Sequence, residues 1–223
     1  MRGDSATIFR ATSALVLMLI FSDLCFGNTH SSPSERELAA VLQLKADPAH
    51  GQQIFDGCAA CHGSRATGVS DGTVPAIAGQ HLRVIIWELS EFRHGQRMDP
   101  RMQHFTDDQH LTGGAQDLAD VAAYVSRLRP NAPAAILPAD GTARGGLLYR
   151  SHCASCHGPK AQGDDQQRNP RLAGQHFEYL LQRLQGGIEN QRTNTSAQHG
   201  KLRLRLMPAN LRAICDYPSQ IGP

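Results

Sequence analysis

Two stretches of this chain have residue types and a spacing that could do chemistry: Cys58-Ala59-Ala60-Cys61-His62-Gly63 and Cys153-Ala154-Ser155-Cys156-His157-Gly158. Two thiols three positions apart, with an imidazole beside the second, can serve several ends. A disulfide would close a very short loop and leave the histidine unexplained. A structural zinc site would need two distant thiol pairs to pool their ligands, yet each stretch repeats its own histidine. A thioredoxin-like redox pair belongs in a βαβ setting. Covalent attachment of a c-type haem uses every residue. The thiols meet the two vinyl groups from one helical turn, and the adjacent imidazole reaches the iron from the same face. On this reading Cys58, Cys61, Cys153 and Cys156 attach two haems, and His62 and His157 ligate their irons.

The elements that must position these groups come in two copies. An offset of 95 carries the first Cys-x-x-Cys-His onto the second, Asp47 onto Thr142, Gly51 onto Gly146 and Pro75 onto Pro170. It also carries Ala78-Gly79-Gln80-His81 onto Ala173-Gly174-Gln175-His176, and Gln96-Arg97 onto Gln191-Arg192. Later the offset slips to 93, taking Leu118 to Leu211 and Tyr124 to Tyr217. Two homologous domains follow, over 47–130 and 140–223, joined by a linker over 131–139 that Pro133 and Pro138 keep extended. Within each, helices are expected: one capped by Asp47 (Thr142 in the second copy) and running to the first cysteine, one over 81–94 or starting near His176, and one over 117–128 or 208–217, the last cut short by Pro218. No alternating strand pattern appears, so the expected class is all-α. Aromatics make up only 5% of 223 residues, with one Trp, and two haems would supply the bulk such cores lack.

Arg2 and Arg10 flank an uncharged run, 11–21, that is too short to span a bilayer but adequate for a signal peptide. Cleavage is expected after Gly27, with 28–46 as an N-terminal extension, Cys25 lost and the product exported to the periplasm. No other stretch reads as a membrane span. A net charge of +2 and 40% apolar residues exclude a disordered chain, a collagen and a polybasic nucleic-acid arm.

Taken together, these motifs resemble the dihaem class I cytochromes c, in particular the cytochrome c-four group of periplasmic electron carriers. The resemblance covers about 47–218 and rests on the Cys-x-x-Cys-His-Gly repeats, the Pro75–Gln80 and Pro170–Gln175 segments, Arg97, Met102, Tyr124 and Tyr217. It implies two small helical haem domains facing each other. It further implies that the carbonyls of Pro75 and Pro170 accept a hydrogen bond from the iron-ligating histidines, and that Arg97 and Arg192 stand beside haem propionates. Gly51 and Gly146 would allow the close contact of first and last helices. Cys215 would be a buried thiol.

The copies differ at the sixth iron ligand. In the first, Met98 and Met102 are both available, and Met102 is preferred because Met98 adjoins Arg97. In the second, Met102 aligns with Ala197 or Thr195, neither of which can replace a thioether. His199 is the leading candidate there, with an open site and Met207 as alternatives. His81 and His176 are expected to start helices rather than bind metal. Unequal axial ligands would make the second haem the lower in potential. Charge is unequal too. Positions 49–130 carry 7 basic and 9 acidic residues, whereas 144–223 carry 11 and 5. Lys201, Arg203, Arg205 and Arg212 suit docking of an acidic redox partner on the second domain. The expected function is single-electron transfer without a reaction of its own; the alternative is a haem subunit or enzyme that oxidises thiosulfate or sulfide at the second haem.

Overall fold

A computed structural model of the chain describes residues 31–130, 139–185 and 197–222. The expected signal peptide with Cys25, positions 131–138 of the linker, and Arg192 lie outside the described residues, as does the side chain of Arg203.

The architecture is all-helical. In the first half, α1 (Pro33–Val41) opens on a capping box: Ser32 Oγ accepts from the Glu35 amide at 3.2 Å, and Glu35 accepts from the Ser32 amide at 2.9 Å. α2 (Pro48–His62) starts from Asp47, whose carboxylate accepts from Ala49 N at 2.9 Å, with proline in the first turn. α3 (Leu82–Arg93), α4 (Pro100–Thr106) and α5 (Ala115–Arg127) follow. α5 turns Leu118, Val121, Ala122 and Val125 into the core at helical spacing, all almost fully buried. α2 packs on α5, and α1 lies over α3 and α5. The second half has α6 (Ala139–His152), α7 (Ala154–His157), α8 (Phe177–Gln185), α9 (Ala197–Arg205) and α10 (Pro208–Gln220), with α6 packed on α10. No helix among the described residues is long and apolar enough to cross a membrane.

Four local expectations are corrected. α2 does not stop at the first cysteine but continues through both to His62, where Gly63 at φ 76° turns the chain out. Thr142 is not a cap, because α6 begins at Ala139, and the alanines flanking Thr142 favour helix on both sides of it. Pro218 does not end the last helix. It sits in the final turn, where its carbonyl accepts from Gly174 N at 3.0 Å and the chain coils on to Gln220. The close approach in the second half falls on Gly145 rather than Gly146. A Cβ at Gly51 would overlap the Asp120 carbonyl, and one at Gly145 would overlap the Ala213 carbonyl, whereas one at Gly146 would meet side chains, the Tyr217 ring at 3.1 Å and Arg150 Nη1 at 3.3 Å. The slip in repeat offset is the cause, since Asp120 and Ala213 are 93 apart rather than 95.

Candidate haem crevice

Each Cys-x-x-Cys-His stretch ends a helix, and the chain then doubles back to present a proline carbonyl to the histidine. His62 and His157 are both buried, and Nδ1 of each lies 3.0 Å from a carbonyl oxygen, that of Pro75 and Pro170 respectively. The returning segments are pinned from inside by an alanine in the left-handed region. Ala66 O accepts from Ile77 N and Ala78 N at 2.9 and 3.1 Å, and Ala161 O accepts from Leu172 N and Ala173 N at 2.8 and 3.0 Å. Burial pushes the pKa of both histidines below its usual range, against the opposing pull of the carbonyl; Arg101 adds to the lowering at His62. Each ring is therefore neutral at neutral pH. Its Nδ1–H donates to the proline carbonyl, leaving the Nε2 lone pair for a metal.

Both histidines and all four cysteines line one cavity of about 520 Å³ that runs between the two halves. Its walls are mostly apolar, with Ile85, Leu89, Phe92 and Val125 from one side and Leu180 and Ile214 from the other. Cys61 is exposed at the surface, whereas burial pushes the thiols of Cys58 and Cys153 up to about 11. Cys215 also lines the cavity. It is buried, and burial raises its thiol to about 12, so it stays protonated.

The polar anchors test whether the residues fit a haem. Arg97 is 2% exposed and stacks over the Phe92 ring at 4.4 Å. Nη1 lies 2.8 Å from Glu88 Oε2, and Nη2 donates to the Tyr179 hydroxyl at 3.1 Å. Burial opposes its charge, but Glu88 and Tyr179 hold the guanidinium protonated. Its Nε has no hydrogen-bond partner among the described residues, and neither does the buried Nε of Arg171 on the same cavity. Buried, unmatched cationic donors beside an apolar slot with two thiols and an imidazole fit the propionates and ring of a c-type haem.

α4 sets Met102 in the cavity wall, whereas Met98 is 42% exposed and outside it. In the second half α9 sets His199 in the wall, while Met207 is 69% exposed at the cap of α10. The rings of His157 and His199 have centroids 6.1 Å apart and planes 16° from parallel.

The halves also meet through a near-symmetric set of contacts that the sequence reading missed. Gln175 Oε1 accepts from Ala76 N at 3.0 Å and its Nε2 donates to Ala76 O at 2.8 Å. Gln80 Oε1 accepts from Arg171 N at 2.8 Å and its Nε2 donates to Arg171 O at 3.0 Å. His81 Nε2 lies 2.7 Å from Gln162 O, and His176 Nε2 lies 2.7 Å from Thr67 O. A signal was present. The same Gln-His pair stands in both copies, and a face that meets its own duplicate uses each residue twice.

The cytochrome c family model matches residues 48–129 and 142–217. The chain belongs to the cytochrome c family. Within it, this cytochrome is of the cytochrome c4-like dihaem kind. It is 32% identical to the cytochrome c4 of Thiocapsa roseopersicina, over 80% of this chain and 94% of that protein. The thiosulfate dehydrogenase electron acceptor of Stutzerimonas stutzeri strain A1501 is 27% identical, over 82% and 92%. The solved structure of reduced recombinant cytochrome c4 from Pseudomonas stutzeri shares the fold, with a TM-score of 0.69 at 24% identity, over 80% of this chain and all of that one. Electron transfer by covalently held haem, and hence redox partners, follow from this membership.

Proposed function

We propose that this cytochrome carries single electrons between a periplasmic donor and a terminal acceptor, through one haem in each of the domains 47–130 and 140–223. When bound, each haem supplies an iron that takes up and releases one electron. Cys58, Cys61, Cys153 and Cys156 hold the rings, and His62 and His157 ligate the metals. Pro75 and Pro170 fix the two imidazoles, while Arg97 and Arg192 balance the propionates. Met102 completes the first iron and His199 the second.

The observation that carries this reading is the approach of the His157 and His199 rings on the wall of the same cavity. Their centroids are 6.1 Å apart and their planes 16° from parallel, a spacing at which both rings could hold one metal ion. His157 and His199 together would hold an iron for electron exchange and keep small ligands off it. A histidine in place of a methionine would also lower the potential, so electrons would run from the second haem to the first. Lys201, Arg203, Arg205 and Arg212 on the second domain would steer an acidic donor to the entry point.

The test uses the purified holoprotein. It should contain two haems, two separated midpoint potentials, a ferric thioether-to-iron band from one haem only, and no rapid carbon monoxide binding when reduced. His199→Ala should open one iron to carbon monoxide. Two thioether bands at equal potentials would overturn the ligand assignment.

A second reading is favoured by the likeness to a thiosulfate dehydrogenase electron acceptor. Here the donor, or the substrate itself, is a reduced sulfur compound. Reduction by thiosulfate alone would mark an enzyme; reduction only when a dehydrogenase is added would mark a carrier.

A further inference from the structure

The amide that carries the proline carbonyl has two ends. Pro75 C=O and Ala76 N–H belong to one peptide group: its oxygen faces His62 Nδ1 at 3.0 Å, and its N–H donates to Gln175 of the other half at 3.0 Å. The second crevice repeats the arrangement, with Pro170 O facing His157 Nδ1 at 3.0 Å and Arg171 N–H donating to Gln80 at 2.8 Å. A peptide whose N–H is hydrogen-bonded is polarised, and its carbonyl becomes a stronger acceptor. A stronger acceptor draws the Nδ1 proton, makes the imidazole a better donor to iron and stabilises the ferric state.

We infer that Gln175 and Gln80 are positioning residues that act crosswise, each setting the potential of the haem in the opposite half through a single peptide group. Each glutamine also grips the carbonyl of the residue it holds, at 2.8 and 3.0 Å, so its amide cannot turn away while the halves stay docked. Docking and both potentials are then one linked equilibrium. A partner that loosens the interface raises both potentials together.

The inference rests on the proposed haem ligation, and the two can fail separately. A wild-type spectrum without one thioether-ligated haem would remove the ligation before any substitution is made. With that spectrum in place, the test is Gln175→Leu and Gln80→Leu in the full holoprotein, read by redox titration of each haem. Gln175→Leu should raise the potential of the His62 haem more than that of the His157 haem, and Gln80→Leu should do the reverse. Gln175→Glu keeps an acceptor for Ala76 N–H and should move the His62 haem down instead. Shifts confined to the mutated half, or lowered melting temperatures with both potentials unmoved, would overturn the inference and leave the glutamines as interface glue.

An independent observation concerns the turn after α4. His104, Asp107 and His110 bring one ligand atom each to within 4.8 Å of the others; the two imidazole centroids are 4.0 Å apart, and His110 Nδ1 lies 2.8 Å from Asp107 Oδ1. The backbone is pre-set, because Asp107 also caps the turn by accepting from Gln109 N and His110 N at 2.9 and 3.1 Å. Both histidines are exposed, so small side-chain rotations reach metal-bonding distance without disturbing a core. We propose that this triad binds a borderline divalent ion, Cu²⁺ ahead of Zn²⁺, through two imidazoles and a carboxylate. Calorimetric titration of the holoprotein with Zn²⁺, and Cu²⁺ electron paramagnetic resonance, should show one saturable site that His104→Gln and His110→Gln each abolish. Binding unchanged by both substitutions, or no saturable binding, would overturn it.

Discussion

The two halves share the surroundings of their buried histidines and their docking contacts closely, and differ in how their cores are built. In both, a Cys-x-x-Cys-His helix end, an alanine in the left-handed region and a proline carbonyl hold the histidine at the same 3.0 Å. The first half then builds one contiguous core, in which Leu38 and Val41 of α1 join Phe55, Ile86, Leu118 and Val121. Among the described residues, the second half has two small clusters, Leu180, Leu181, Leu211 and Cys215 in one and Tyr149, Ala161 and Ala173 in the other. Where the first half ties α2 to α5 through Asp120, the second has Ala213. On the proposed reading, the shared part would attach and orient a haem, and the divergent part would set its sixth ligand and the rigidity around it, making two like cofactors unequal.

Erasing that inequality should give the largest effect. Met102→His would furnish both crevices with two imidazoles, and the potential of the first haem should fall by more than about 60 mV, one decade in a one-electron equilibrium. Spectroelectrochemical titration would then show the two steps converging and the thioether band gone. An unmoved first step would mean that Met102 does not hold the iron.

The next effect separates glycines that look equivalent in the alignment. Gly51→Ala and Gly145→Ala force a methyl into a facing carbonyl and should each cost about 1–3 kcal/mol. Gly146→Ala meets side chains, the Tyr217 ring and the end of Arg150, at 3.1 Å or more rather than overlapping a backbone carbonyl, and should cost clearly less. Denaturant midpoints of the three variants decide this, and equal losses at 145 and 146 would place the helix contact elsewhere.

Most of this was legible beforehand because it rests on local or repeated patterns. The two Cys-x-x-Cys-His stretches stood out as a repeated pattern, and the fold brings their thiols and imidazoles to one cavity. The helices over 82–93 and 115–127 follow from period 3.6. What could not be read was set by tertiary partners. Pro218 stays helical because its carbonyl finds Gly174, and the helical contact moves to Gly145 because of a two-residue slip between repeats. α1 was taken for a plain extension, although Ser32 and Glu35 spell a capping box. Gln80 and Gln175 carried no signal beyond their repetition, because side-chain bonds across an interface leave no periodicity.

Removing Asp120 probes the first half alone. Its carboxylate is buried and accepts from Asp47 N at 2.7 Å, Gln116 Nε2 at 2.7 Å and His50 Nδ1 at 2.9 Å. Asp120→Ala strands these donors and should cost about 1–3 kcal/mol, read as a lower melting temperature. Hydrogen exchange should then show α2 and α5 losing protection while α6 and α10 keep theirs.

The smallest effect is a pH dependence confined to the same tie. The hydrogen bond to Asp120 is the main cause that raises the His50 pKa above its ordinary value, with Asp117, Asp120 and Asp47 adding by charge. A base whose folded pKa is raised binds its proton more tightly when folded. Its contribution is therefore complete below the unfolded value, about 6.5, and is lost as pH rises through the folded value. Asp120 runs the other way. Burial disfavours its charge, but its bonds to Asp47, His50 and Gln116 outweigh that and lower its pKa, so its contribution fades only toward acid. Thermal melts of the wild type and His50→Gln should differ slightly at about pH 6 and coincide at about pH 8. The residue aligned with His50 in the second half is Gly145, so no such term arises there. A gap that persists at the higher pH would mean that His50 stabilises the helix pair by packing rather than by charge.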